Sequence, residues 1–155
     1  MNKLPTLARV KWLLGCAVVS IAIGAQAQSA GESADELLHD SSVVLKQLDA
    51  GQYGAVWNDA APFVKARIKQ DQFAADMQQA RQSVGAVDHR GWAQITRILY
   101  KNASTTPDGL YANVDYATTL KSGVVVFEKL SFSLGDDGRW HLTGYVPRQS
   151  QNFAP

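Results

Sequence analysis

A glutamate within an apolar strand is the residue whose chemistry most needs an explanation. Residues 124–134 alternate as a strand does, and Val126, Leu130 and Phe132 fall on the same face as Glu128. A carboxylate on an apolar face must be ion-paired, hydrogen-bonded or protonated. Glu128 is therefore either neutralised by an arginine or placed in an open pocket as an acid, a base or a ligand anchor. A bulge that turns Glu128 to solvent is the third alternative.

An arginine is the natural partner for a buried carboxylate, because a guanidinium can bind both carboxylate oxygens. Arg97 is our first choice, since Ile95 and Leu99 flank it at a spacing of two and give it a place on an apolar face. The other arginines that could pair with Glu128 are Arg90 and Arg81. We predict a buried ion pair between Glu128 and Arg97.

A tyrosine on the neighbouring strand could share the same cavity. Tyr116 alternates with Val114 and falls on the inner face of residues 110–120, so its hydroxyl either lines a pocket or lies at the rim of the core. The predicted ligand-binding residues are therefore Glu128, Tyr116 and Arg97. Asp115 falls on the opposite face, where we expect it to be solvated.

The last strand is predicted to have one apolar and one polar face. Trp140 and Leu142 alternate on the face assigned to the core. Their neighbours His141, Thr143 and Tyr145 then share the outer face, which would serve a homodimer if the chain forms one.

Several kinds of site have no support in the sequence. The three histidines, His39, His89 and His141, lack the spacing of metal ligands, and no nucleophile-elbow or cofactor motif is present. We therefore predict no metal and no cofactor. The chain has a net charge of +1 and no basic patch, so nucleic acid is not an expected partner.

The spacing of apolar residues changes from that of helices to that of strands near the middle of the chain. Apolar residues at helical spacing predict three helices within Glu32–Gly85, the first capped by Ser33 and the second interrupted at Pro62. Four antiparallel strands joined by turns then follow, at residues 91–102, 110–120, 124–134 and 139–146. This order predicts one α+β domain over residues 35–148, with the helices on one face of the sheet. The predicted core comprises Leu45, Trp57, Phe73, Met77, Val84, Val114, Val126, Leu130, Phe132, Trp140 and Leu142.

The first 27 residues have the pattern of a cleavable signal peptide. Basic residues precede an apolar run of roughly 13 residues, which is too short for a membrane span, and small residues at Ala25 and Ala27 suit a signal peptidase. A lipoprotein cut before Cys16 is the alternative. We expect a periplasmic or secreted protein without a stable membrane span, with a polar linker at 28–34 and a flexible tail at 149–155.

The chain after residue 27 resembles a known family over nearly all of its length. The run from Arg97 and Tyr100 through Pro107-Asp108-Gly109-Leu110-Tyr111 and Glu128 to the segment 137–145, with Trp57, Arg81 and Gly85 before it, is similar to short secreted bacterial proteins that form domain-of-unknown-function family four thousand and nineteen. The resemblance implies a fold like that of nuclear transport factor two, also called cystatin-like. In that fold three helices pack on a strongly curved sheet and form a cone. The resemblance implies no activity.

Two functions follow from these observations. The first is a non-catalytic exported module that binds a small apolar ligand in the cone or docks a periplasmic protein. The second is a small isomerase-like or dehydratase-like enzyme that uses Glu128 and Tyr116 in an apolar pocket. An arginine locked to Glu128 would speak for the first, and an enclosed cavity reached by both side chains would speak for the second.

Overall fold

The computed structural model describes residues 33–151. Four helices precede four strands within this range. The elements in chain order are α1 Ala34–Asp49, α2 Tyr53–Asn58, α3 Pro62–Arg67, α4 Gln70–Gln82, β1 Val87–Tyr100, β2 Gly109–Leu120, β3 Val125–Leu134 and β4 Trp140–Arg148. The α+β class is therefore confirmed. The predicted signal peptide at residues 1–27 lies outside the described residues, as do residues 28–32 of the predicted linker and 152–155 of the predicted tail.

Helix α1 begins where the sequence predicts it. The Ser33 side chain accepts a hydrogen bond from the backbone N–H of Asp35 at 3.1 Å, which satisfies one of the donors that a helix start leaves free. Leu37, Val44 and Leu48 lie on one face of the helix and are buried. This face holds α1 on the sheet, where it packs mainly against β2.

The region predicted as one interrupted helix forms two short helices, so the expected number of three helices is wrong. Pro62 occupies the first turn of α3, where its missing N–H costs nothing, and it ends any continuation from α2. Between the two helices, Ala60 forms a parallel bridge with Leu142, and the Ala61 N–H donates to the Leu142 carbonyl at 2.9 Å. The connection therefore lies along the free edge of β4.

The four strands form one open antiparallel sheet in the order β1-β2-β3-β4. The hairpins lie where the turn residues predict them, and β1 begins at Val87, four residues before the predicted start. Strand β1 pairs with β2 through two register shifts, and the second of them leaves Ala93 unpaired between Trp92 and Gln94. Because a bulge reverses the alternation, Arg90 and Trp92 share a face with Ile95 and later odd-numbered residues.

The core lies between the helices and one face of the sheet. Of the predicted core residues, all but Trp57 are buried. Trp57 is half-buried, and its ring packs against that of Phe73 with 5.2 Å between the ring centroids. Helices α1 and α4 both pack on α2, and among the strands α4 contacts β4 most and α1 contacts β2 most.

Strand β4 contains a bulge that the alternation rule does not anticipate. Ser131 of β3 pairs with Gly144, but the next residue, Phe132, pairs with Leu142, so Thr143 is the extra residue. The faces reverse at this point. Tyr145, predicted on the outer face with His141, instead lies in the core and is 4% exposed. The outer face proposed for a homodimer therefore lacks Tyr145.

Within residues 33–151, none of the helices combines the length and the apolar character that crossing a membrane requires.

Candidate functional site

Glu128 lies on the inner face of β3 and is 0% exposed, so the predicted parity is correct. Oxygen Oε1 accepts hydrogen bonds from Arg90 Nε at 2.7 Å and from the Thr118 hydroxyl at 2.6 Å. Oxygen Oε2 accepts from the Tyr145 hydroxyl at 2.5 Å and from a second Arg90 nitrogen at 3.4 Å. Each carboxylate oxygen thus faces two donors, and we call Glu128, Arg90, Thr118 and Tyr145 the Glu128 cluster.

Arg90 links this cluster to the end of α1. Its two terminal nitrogens donate to the carboxylate of Asp49 at 2.6 and 2.9 Å, and Asp49 also accepts from Arg81 Nε at 2.7 Å. Burial alone would lower the pKa of Arg90, but its hydrogen bonds to Asp49 and Glu128 outweigh burial and raise the pKa. Arg90 therefore stays charged and neutralises Glu128.

The carboxyl of Asp49 responds to the same arginines. Burial alone would raise the pKa of Asp49, but the hydrogen bonds and charges of Arg90 and Arg81 outweigh it, and the pKa is lowered. Asp49 lies at the C-terminal end of α1, a position that disfavours an acid unless a cation lies beside it. The two arginines thus also compensate an unfavourable helix end.

Tyr145 is held as a neutral donor. Burial raises the pKa of its hydroxyl, and the negative charge of Glu128 raises it further. The hydroxyl therefore keeps its proton and donates a hydrogen bond to Glu128. The arrangement is a charge-assisted cross-link between β3 and β4.

The chemistry open to Glu128 follows from this geometry. A general base needs an oxygen within hydrogen-bond reach of a substrate proton. Both oxygens of Glu128 already accept two hydrogen bonds from protein donors, and none of the carboxylate is exposed. A substrate would first have to displace Thr118 or Tyr145. The geometry suits a structural role that joins α1, β1, β2, β3 and β4.

The predicted partner Arg97 is wrong, and the alternative Arg90 is the partner. Arg97 pairs with Ala112 on β2, whereas Glu128 pairs with Tyr116. Four residues along a strand correspond to about 13 Å, so Arg97 lies well beyond the cluster. Strict alternation assigns Arg90 and Arg97 to opposite faces, and the bulge at Ala93 brings both to the inner face.

Tyr116 lies on the predicted face and is buried, but its hydroxyl meets α1. The Tyr116 hydroxyl lies 2.7 Å from Ser41 Oγ, and Ser41 donates to the Leu38 carbonyl at 3.0 Å. Since the Ser41 hydrogen is used in that bond, Tyr116 is the donor in the first. The structure thus brings Tyr116 and Glu128 to paired positions on one face, while their functional groups bind different partners.

Asp115 lies on the outer face as predicted, but the expectation that it is solvated is wrong. It is 2% exposed and forms an ion pair with Arg148. Asp115 pairs with Lys129, and Arg148 pairs with Phe127 two residues away on the same strand. Arg148 therefore reaches across β3 and covers the carboxylate of Asp115. The alternation of apolar residues does not predict this, because it assigns Asp115 to the face opposite the core.

The helix-facing side of the sheet opens to solvent beside β1. A cavity of about 420 Å³ lies between α1 and the first part of β1, and Asp49, Arg90 and Tyr116 contribute to its wall. Further along β1, Trp92 is 59% exposed and Leu99 is 60% exposed. Both pair with inner-face residues of β2, so they lie on an exposed part of the inner face.

Three residues around Glu128 are not predicted from the sequence, and they differ in how visible they are in its pattern. Thr118 falls on the predicted inner face, where a hydroxyl among apolar side chains could have marked it as a partner for Glu128. Tyr145 was concealed by the bulge at Thr143. Asp49 follows the apolar stripe of α1, and nothing in its spacing points to Arg90.

Comparison with known proteins is informative at the level of the family. Within the described part of the chain, no group of three or more histidine, aspartate or glutamate side chains is placed to hold a metal ion. No curated protein matches the chain, and no solved structure matches it either. A family model described as a protein of unknown function, DUF4019, matches residues 40–145, and the chain belongs to this family.

Proposed function

We propose that the protein is an exported, non-catalytic binding module that docks an extended segment of a partner protein along β1. The supporting observation is the exposure of Trp92 and Leu99, 59% and 60%, on the inner face of the edge strand. Aromatic side chains are enriched where proteins bind one another, and contiguous exposed apolar groups mark such surfaces. We call Trp92, Ile95, Arg97 and Leu99 the β1 surface.

The backbone of β1 favours an extended partner. Strand β1 is 14 residues long and forms one edge of the sheet, and no strand within residues 33–151 pairs with its other side. An extended segment can add to such an edge through main-chain hydrogen bonds, while its side chains contact one face of the sheet. Trp92, Ile95 and Leu99 lie on that face, so a suitable partner strand presents apolar side chains to it.

A small ligand inside the cone has less support. The inner face of β2 and β3 is filled by core side chains, and the polar groups there are satisfied by the Glu128 cluster and by the bond between Tyr116 and Ser41. The cavity beside β1 is open rather than enclosed by apolar walls, with charged side chains of Asp49 and Arg90 in its lining. These features favour contact with a protein surface.

We also infer the finer fold and the route of export. The packing of the helices on one face of a four-stranded antiparallel sheet supports a cone like that of nuclear transport factor two. The basic, apolar and Ala-x-Ala order of residues 1–27 supports cleavage after Ala27 into the periplasm or the medium. Mass spectrometry of the intact protein tests this, because cleavage gives an N-terminus at Gln28 and a lipoprotein gives a diacylated Cys16.

Site-specific photo-crosslinking tests the docking surface. The photoreactive residue p-benzoylphenylalanine replaces Trp92 in one variant and Val146 in the control, since Val146 is apolar and 48% exposed on β4. After illumination of the host's intact envelope, position 92 should give one identified partner protein at several-fold higher yield than position 146. Equal yields at the two positions, or a product consisting of two copies of this chain, would overturn the proposal.

A further inference from the structure

Three aromatic side chains gather on the outer face of the sheet, opposite the core and away from the β1 surface. Tyr100 of β1 and Tyr111 of β2 are half-buried there, with 5.1 Å between their ring centroids. Phe63 of α3 reaches the same face, and its ring centroid lies 6.3 Å from that of Tyr111. Among the described residues, none of these three belongs to the core or packs directly against it. The core therefore does not explain why the rings are brought together.

The rings are held in place by the loop between β1 and β2. The Tyr111 hydroxyl donates to the Pro107 carbonyl at 3.1 Å. A terminal nitrogen of Arg67 on α3 donates to the Thr105 carbonyl at 3.1 Å, and the same guanidinium lies over the Phe63 ring, 5.5 Å from its centroid. Groups fixed in this way lose little freedom when a ligand binds, so the rings form a preorganised surface.

Two cavities, of about 240 and 270 Å³, adjoin these rings. Phe63 and Tyr111 line both cavities and therefore stand between them. The smaller one, the end cavity, lies between α3 and the turn after β3, with Gly135 in its lining. The larger one, the strand cavity, lies over the outer face of the sheet and includes Tyr100. We call the two cavities together the outer groove.

The spacing of the two cavities suits a polyproline II helix. On β2 the lining shifts from Gly109 and Tyr111 in the end cavity to Tyr111 and Asn113 in the strand cavity. The lining residues of β3 shift in the same direction, and they are Ser133 and Leu134 in the end cavity and Ser131 and Lys129 in the strand cavity. Shifts of two residues on β2 and three to four on β3 correspond to about 7–12 Å. A polyproline II helix advances about 9 Å in each three-residue turn, so its residues i and i+3 can enter both cavities.

The strand cavity also contains a hydrogen-bond donor that the fold leaves unused. The side-chain oxygen of Asn113 accepts from the Ser131 hydroxyl at 2.7 Å, whereas its NH₂ group donates to none of the described residues. This nitrogen is not among the fully buried atoms that lack a partner, and Asn113 lines the cavity, so a ligand can reach it. A polyproline II backbone has no internal hydrogen bonds, and its carbonyl oxygens are therefore free to accept from Asn113.

The two ends of the outer groove differ in charge. Asp108 and Asp136, both exposed, line the end cavity, whereas the charged residue in the lining of the strand cavity is Lys129. A ligand with a basic residue at the end cavity complements this arrangement. Because the two carboxylates are exposed, the attraction is modest and weakens with salt.

We propose that the outer groove binds a proline-rich segment of a partner protein in the polyproline II conformation. Proline rings at positions i and i+3 occupy the two cavities and pack against Phe63 and Tyr111, since aromatic-lined grooves are the surfaces that recognise such segments. A backbone carbonyl accepts from Asn113, and a basic residue lies beside Asp108 and Asp136. The outer groove and the β1 surface lie on opposite faces of the sheet, so the two can be tested separately.

Titration with acetyl-octaproline amide tests the proposal. The protein is labelled with ¹⁵N, purified as the cell processes it, and followed by NMR, and Asn113→Leu assigns the side-chain NH₂ resonances of Asn113 by removing them. We expect these resonances to shift with octaproline. Asn113→Leu, followed through its backbone resonances, should bind octaproline severalfold less tightly because a hydrogen bond is lost. An acetyl-(Gly-Ser)₄ amide peptide has the same length but is flexible and lacks rings, so it should cause no shift.

Matched variants at two outer-face rings locate the binding. Tyr100→Leu removes a ring of the outer groove, whereas Phe127→Leu removes a half-buried ring of β3 that lines neither cavity. Tyr100→Leu should weaken octaproline binding by about threefold or more, and Phe127→Leu should leave it unchanged. Circular dichroism shows whether each variant is folded, and Phe63→Leu on α3 takes the place of Tyr100→Leu if that variant is not.

Shorter and charged probes test the two cavities and the acidic end. N-Acetylprolinamide fills a single cavity and should bind about tenfold or more weakly than octaproline. Of two octaproline peptides with a lysine added at the N-terminal or the C-terminal end, one should bind more tightly than octaproline, and Asp136→Asn should reduce this gain. The absence of a shift with octaproline, equal binding of N-acetylprolinamide, equal losses in Tyr100→Leu and Phe127→Leu, or no gain from either lysine would each overturn the proposal.

Discussion

Strands β3 and β1 differ in which kind of side chain they bury on the inner face of the sheet. Strand β3 buries the charged Glu128 at 0% exposure, while β1 exposes the apolar Trp92 at 59% on the same face of the same sheet. The difference lies in position, since β3 lies between β2 and β4, the two strands that α1 and α4 contact most, whereas β1 is an edge strand. Burial in this fold is thus decided by the position of the strand, and the polarity of a residue does not reveal it.

The comparison predicts that removing a charge from β3 harms the fold far more than removing an aromatic ring from β1. Glu128→Ala removes the acceptor of the Arg90 guanidinium and of the Thr118 and Tyr145 hydroxyls. The free energy of unfolding should fall by about 3–5 kcal/mol. Urea denaturation followed by circular dichroism measures the loss.

A double-mutant cycle identifies the partner of Glu128. The double variant Glu128→Ala/Arg90→Met should lose less free energy of unfolding than the two single variants lose together, because the two side chains are in contact. Arg97→Met is the matched control and should be additive with Glu128→Ala. Additivity at Arg90 would mean that the ion pair does not contribute to stability.

Tyr145→Phe sharpens the comparison by removing one donor while keeping the ring. Oxygen Oε2 of Glu128 would then keep only the 3.4 Å contact with Arg90. Because the lost hydrogen bond is to a charged group, we expect a loss of about 1.5–3 kcal/mol in the free energy of unfolding. Tyr53→Phe, at a half-buried position on α2, is the control and should be close to neutral. An unchanged free energy of unfolding in Tyr145→Phe would show that the hydrogen bond from Tyr145 does not stabilise Glu128.

Acid should weaken the link between α1 and the Glu128 cluster. The folded-state pKa of Asp49 lies below its unfolded value, so its contribution to stability is present above the unfolded pKa and is lost as the pH falls through the folded one. Stability should therefore decline below about pH 4. The decline should be shallower in Asp49→Asn, and identical pH profiles for the two proteins would contradict the assignment.

The smallest effect on stability is expected on β1. Trp92→Ser removes a side chain that is mostly in solvent, so the free energy of unfolding should change by less than about 0.5 kcal/mol. Denaturation midpoints measure this. A loss of more than 2 kcal/mol would show that Trp92 is part of the core, and the β1 surface would then no longer be a candidate for docking.

The sequence predicts most of this architecture because apolar periodicity and turn residues act locally. The face of Glu128, the hairpins and the cap at Ser33 all follow from such local patterns. The partner of Glu128 does not, because the bulges at Ala93 and Thr143 shift the alternation of two strands and depend on pairing with distant residues. Asp49 and Arg148 reach their partners through the tertiary fold alone.

The central claim is that Glu128 holds the fold together and does not react with a substrate. Denaturation of Glu128→Gln tests it most directly, because glutamine keeps the size of the side chain but loses its charge and presents an NH₂ group to donors. We predict that the free energy of unfolding falls by about 1.5–3 kcal/mol. A variant as stable as the parent protein would contradict this account and return Glu128 to the candidates for catalysis or ligand binding.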